Sequence, residues 1–204
     1  MGLRLLILDW WTPKYIIRKE LANVSDLTTS ALQAIVAQYA PQELAANTKQ
    51  QTSTSIKEQR ANMAQTHVKL VEKLEAALGH EKAVTLGREA LFLAGENLGK
   101  QTRSRLGIGD SSKDLTKAAK ILYRVLGIEF HIEWLDKSNA KVVINRCALA
   151  EHYSKLTCEV LSATDEGVIK GLQPNAKLQF KEYITSGCQT CRADIHFNEK
   201  ETMK

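Results

Sequence analysis

The chain has 204 residues, 44% of them hydrophobic, with 28 basic and 23 acidic side chains and a formal net charge of +5. That composition supports one large domain, or one domain with an appendage, and excludes a disordered chain. The mild excess of positive charge is spread along the sequence, without the dense basic stripe interleaved with aromatics that nucleic-acid binding needs.

The nearest approach to a basic patch is Lys14, Arg18 and Lys19, and the charge balance reads as solvated surface that also permits binding of anionic small molecules. The N-terminal stretch "MGLRLLILDWWTPKYIIRKEL" is broken by Arg4, Asp9 and Pro13, so it is too short for a membrane span. Trp10, Trp11 and Pro13 stand where a signal-peptide cleavage site would need small residues. The expected location is the cytoplasm, where four cysteines are thiols, ligands or core residues rather than a disulfide framework.

In chain order, "DLTTSALQAIVAQYA" predicts a helix with Asp26 as N-cap and Pro41 beyond its end. "AANTKQQTSTSIKEQRANMAQ" is polar and reads as a linker or an exposed helix. In "THVKLVEKLEAALG", Val68, Val71, Leu74 and Leu78 share a helical face and Gly79 ends it. "EKAVTLGREALFLAGENLGKQTRSRLG" is a second long helix, whose Gly87, Ala90, Ala94 and Gly95 permit close packing. "LGIGDSS" lacks the preceding strand and the Gly-Lys-Ser/Thr ending of a phosphate loop, so it reads as a helix C-cap followed by an N-cap. "DSSKDLTKAAKILYRVLG" is a third helix, ending at Gly127.

The period then becomes two. "IEFHIEWL" sets Ile128, Phe130, Ile132 and Trp134 against Glu129, His131 and Glu133, and with "KVVINRC" it predicts a hairpin. "ALAEHYSKLTCEVLSATDEGVIKGL" returns to helix, starting near Ala148 and closed by Gly171. "AKLQFKEYIT" and "CRADIHF" are two more strands around a turn at Ser186-Gly187. The predicted fold is α+β: a four-stranded antiparallel β-β-α-β-β sheet against helices, over residues 61–204, after an N-terminal helical extension over 1–60.

All four cysteines fall in the β-β-α-β-β half. Cys188-x-x-Cys191 leads into a strand rather than opening a helix, which argues against a thioredoxin-type redox pair. No second Cys-x-x-Cys is present to close a zinc ribbon. Cys147, Cys158, Cys188 and Cys191, with His152 or Glu182, form a candidate mixed metal site; equally, cysteines fill cores. Asp165 lies seven residues after Cys158, on the same helical face. With Glu151 and His152 in the first turn of a helix from Ala148, a thiol, an imidazole and carboxylates would be available for nucleophilic or acid–base chemistry.

"NRCALAEHY" and "CEVLSATDEGVIKGLQPNAKLQFKEYITSGCQTCRADIHF" together resemble the family named for L-2-amino-thiazoline-4-carboxylic acid hydrolase. Arg146-Cys147, Cys158, Asp165, Phe180, Gly187 and Cys191 match its pattern; Ala148, Cys188 and the inverted Pro174-Asn175 depart from it. The resemblance implies hydrolysis of a carbon–nitrogen bond in a small cyclic amidine or amide. Cys147, His152 and Asp165 would be catalytic, and Arg146, Tyr153 and Phe180 would contact substrate. The same half is similar to the 4-vinyl-reductase domain, which implies the alternative of a non-enzymatic ligand-binding or sensor module. That similarity implies zinc as a cofactor, with Cys158 and Cys191 at two ligand positions. The other two positions fall near Phe180 and Tyr183, with Cys188 or Glu182 as substitutes. The expected partners are a small-molecule ligand or substrate and a second copy of the chain, with no nucleic acid and no membrane span. A helical interaction subunit dimerising through residues 26–105 is a third expectation.

Overall fold

A computed structural model describes residues 12–42 and 55–198. Trp10, Trp11 and residues 45–54 of the polar segment lie outside the described residues. The described chain forms helices α1 (Lys14–Tyr39), α2 (Ile56–Leu78), α3 (His80–Leu106) and α4 (Ser112–Leu126), then strands β1 (Ile128–Trp134) and β2 (Asn139–Cys147). Helix α5 (Lys155–Leu172) and strands β3 (Ala176–Glu182) and β4 (Cys191–Phe197) follow. The architecture is α+β with an N-terminal helical region, as the alternation and helical periods predict.

Two helix starts differ from the sequence reading. Helix α1 begins at Lys14 behind Pro13, so Asp26 lies inside it rather than capping it. Leu21 and Val24 continue the buried face of Thr28, Leu32, Ile35 and Val36, and burial of that one stripe outweighs the capping preference of Asp26. Helix α2 begins in the polar segment because Ser55 and Glu58 form a reciprocal capping box. Gly107 and Ser111 close α3 and open α4, as read from "LGIGDSS".

The strands pair antiparallel in the order β1-β2-β4-β3. Phe130 faces Ile144, Val142 faces Ala193, and Leu178 faces Ile195, so one apolar sheet face meets α4 and α5. That face thins at its end: Trp134 is exposed and stacks on Phe197 at 5.7 Å. Behind the sheet, α5 is the central helix. It shares one core with α4 and the sheet and a second with α1, α2 and α3, through Leu32, Leu74, Leu91 and Val160.

The α3–α5 contact is backbone to backbone. A Cβ on Gly95 would strike the Thr164 carbonyl, and one on Gly99 the Val168 carbonyl. In return, Gly167 faces the Phe92 carbonyl and Gly171 faces that of Glu96. Gly171 therefore does not close α5; the helix runs to Leu172 and Gln173 is its C-cap. This close approach lets α5 reach under the sheet and present one side chain face to the interior.

Candidate functional site

Helix α5 is capped by Ser154, whose hydroxyl accepts from the Thr157 amide at 3.1 Å. Residues 148–152 form turns, so Glu151 and His152 are not in a first helical turn. His152 donates its backbone N–H to Leu149 and borders neither cavity described below. The helix is unbroken at Asp165-Glu166-Gly167, which places Cys158, Ser162 and Asp165 on one face at helical spacing.

Around that face lies a small cavity of about 80 Å³. It is bordered by Cys147 at the end of β2, Cys191 at the start of β4, and Cys158, Asp165, Tyr153 and Phe180. The structure thus brings together six of the residues singled out in the sequence. Arg146, Cys188 and Glu182 stay outside: Arg146 pairs with Glu129 at 3.6 Å on the exposed sheet face, and Glu182 pairs with Arg192 at 3.6 Å.

A larger cavity of about 390 Å³ opens between α1, α3, α4, α5 and the inner sheet face. Its walls are mainly aliphatic and aromatic, including Leu98, Leu122, Phe130, Val142 and Ile195. Its mouth carries Tyr15, Lys19, Glu20 and Arg105. Val24, Leu126, Thr164 and Asp165 border both cavities. Asp165 keeps some accessible surface although protein surrounds it, so the space it sees is that of the cavities.

Burial raises the Asp165 carboxyl to a pKa of about 7, with Glu166 adding to the rise and a hydrogen bond from the Tyr123 phenol opposing it. Glu166 is itself tied to Arg88 at 2.8 Å. Burial also holds the thiols protonated, raising Cys147 to about 11 and Cys158 to about 12. At neutral pH the titrating group of this site is Asp165, and the cysteines are thiols rather than nucleophilic thiolates.

A buried relay that the sequence reading missed holds Tyr153. Thr28 Oγ1 donates to the Val24 carbonyl at 2.7 Å, so it accepts from His67 Nε2 at 2.8 Å. His67 Nδ1 is then the acceptor, and the Tyr153 hydroxyl donates to it at 2.7 Å. Burial lowers His67 to a pKa of about 4 and keeps it neutral. The signal was present in the sequence: His67 sits at helical spacing with Leu70, Val71 and Leu74, where an apolar residue was due.

The sequence resemblance implies zinc held by donors of this region. Cys158 and Cys191 share the small cavity, but Cys188 and Glu182 do not border it. Among the described residues no three His, Cys, Asp or Glu side chains converge as a metal-holding group. The charged neighbours that act on Cys147 and Cys158 are acidic, which disfavours thiolate. As arranged among the described residues, these donors do not fit a zinc ion.

The α+β domain therefore encloses an apolar-walled cavity with one raised carboxyl at its inner wall. The family model of L-2-amino-thiazoline-4-carboxylic acid hydrolase matches residues 59–195, and the chain belongs to that family. No curated protein matches the chain. Among solved structures, a trafficking protein particle complex subunit 3 from Naegleria fowleri, covalently bound to palmitic acid, is similar at 16% identity and a TM-score of 0.56. The match covers 70% of this chain and 97% of that one. The phenol-responsive sensory domain of the transcription activator PoxR, with phenol, matches at 16% identity and a TM-score of 0.51, over 68% of this chain and 76% of its own. At these identities the two likenesses show a shared fold.

Proposed function

We propose that this chain binds a small, mostly apolar molecule in the larger cavity, with an uncharged hydrogen-bonding end against Asp165 and Tyr123. The observation that carries the reading is the cavity: about 390 Å³ of apolar-walled space, with Asp165 at the inner wall and the other charged side chains at the mouth. That volume is within the range of small-molecule sites, and the pattern of apolar walls with a few placed polar groups is theirs. The two structural relatives hold palmitic acid and phenol, each an apolar body with one polar end, which supports the same ligand chemistry here.

A second reading, hydrolysis of a carbon–nitrogen bond in a small cyclic amidine or amide, is favoured by family membership and by the pKa of Asp165. A carboxyl that titrates near pH 7 takes a proton from water as it attacks a ring carbon and returns it to the departing nitrogen. In this reading the Tyr153–His67–Thr28 relay fixes the Tyr153 hydroxyl beside the small cavity. Arg146 does not serve as the carboxylate partner in this reading, because it pairs with Glu129 on the exposed sheet face and borders neither cavity.

The test is calorimetric titration of the full chain with phenol, octanol and 2-amino-thiazoline-4-carboxylate, with product analysis of the last. Saturable binding without turnover, weakened several-fold by Asp165→Asn, is the expected result. Turnover that Asp165→Asn abolishes establishes the second reading instead. No binding of any of the three overturns both.

A further inference from the structure

The mouth of the larger cavity is charged in a way the proposed ligand contact at Asp165 does not use. Lys19 and Glu20 stand side by side on α1, and Arg105 reaches them from α3. Arg105 is committed to Glu20 through two nitrogen–oxygen contacts of 3.3 and 3.1 Å. Lys19 is exposed and makes no ion pair among the described residues. Two cations and one anion leave the rim with one uncompensated positive charge, poised over an opening into apolar space.

We infer that the ligand of this cavity is an amphipathic monoanion, an apolar body with one carboxylate, whose carboxylate sits at Lys19 and whose uncharged end points to Asp165. This deepens the binding reading above and rests on it. The orientation follows from electrostatics. At Asp165 an anion meets a carboxyl that is half ionised near pH 7 and has no cation paired with it. At the rim it meets Lys19, with the paired Arg105 guanidinium behind. The valence follows from the same count: a monoanion neutralises the rim, whereas a phosphate dianion overcharges it beside Glu20. The apolar length between rim and Asp165, lined by Leu98, Leu122, Leu126 and Val168, takes the hydrocarbon part.

Calorimetric titration of the full chain with octanoate and with octanol, equal in apolar length and different in charge, separates this inference from the reading it rests on. Octanoate is expected to bind about threefold or more tightly than octanol at low salt, the scale of one exposed charge pair, and the difference is expected to vanish at high salt. Lys19→Ala removes the preference for octanoate and leaves octanol unchanged; Lys19→Arg keeps it. Equal affinity for the two probes, or a preference that survives Lys19→Ala, overturns the inference while octanol binding still upholds the cavity. If neither probe binds, the cavity reading falls and this inference falls with it.

Discussion

Asp165 and His67 are buried ionisable groups with opposite effects on stability. The folded pKa of Asp165 lies near 7, above its ordinary 3.8, so the folded state holds a proton that the unfolded state releases. Its contribution is complete below pH 3.8 and is lost as pH rises through 7, up to about 4 kcal/mol. His67 is lowered from 6.5 to about 4, so its neutral form stabilises the fold above pH 6.5 and that stability is lost as pH falls through 4. Between pH 4 and 6.5 the two slopes oppose each other. Urea denaturation across this range is expected to show stability rising with pH in Asp165→Asn and falling with pH in His67→Gln. Parallel profiles for both variants and the wild type would show that neither group is buried as described. Cys158 and Asp165 were legible as one face because spacing alone fixes a helical face. Their convergence with Cys147, Cys191 and Tyr153 depends on strand register and a turn, which spacing does not encode.

Helix α5 meets α3 through glycines at both surfaces, so the pair tolerates no added methyl group. Gly95→Ala or Gly167→Ala, where the neighbour is a backbone carbonyl, is expected to cost about 2–3 kcal/mol. Gly79→Ala has open space beside it, and its cost comes from backbone strain at φ +75° alone. Chemical denaturation midpoints check the first pair; unchanged midpoints contradict the backbone contact. Ser55→Ala removes half of the capping box and is expected to cost about 1 kcal/mol. The small residues Gly87 and Gly95 announce close packing in the sequence, and the partners Gly167 and Gly171 do not, because Gly171 reads as a helix end and Gly167 carries no packing signal of its own. The strands are legible because short β-branched and alternating runs bounded by turn residues have one structural meaning, although β2 buries Val142, Val143 and Ile144 in succession.

At the scale of the whole molecule, four helices (α1, α3, α4 and α5) and one sheet face enclose a space that the side chains do not fill. Nothing in the sequence marks it: Leu98, Leu122, Val142 and Ile195 read as ordinary core, and a cavity is a property of how elements meet. The basic cluster of Lys14, Arg18 and Lys19 is visible in the sequence, but that Lys19 alone of the three lines the cavity depends on how α1 packs. The carboxyl at Asp165 and the apolar walls meet in this space, and the proposed function requires its occupancy. Ala119 lines the cavity on α4, and Ala119→Trp fills part of it from that wall. The direct measurement is titration of octanoate into the wild type and into Ala119→Trp, with circular dichroism confirming that both are folded. Binding by the wild type that Ala119→Trp abolishes is the predicted result; equal binding by the two folded proteins would place the ligand elsewhere and contradict the account.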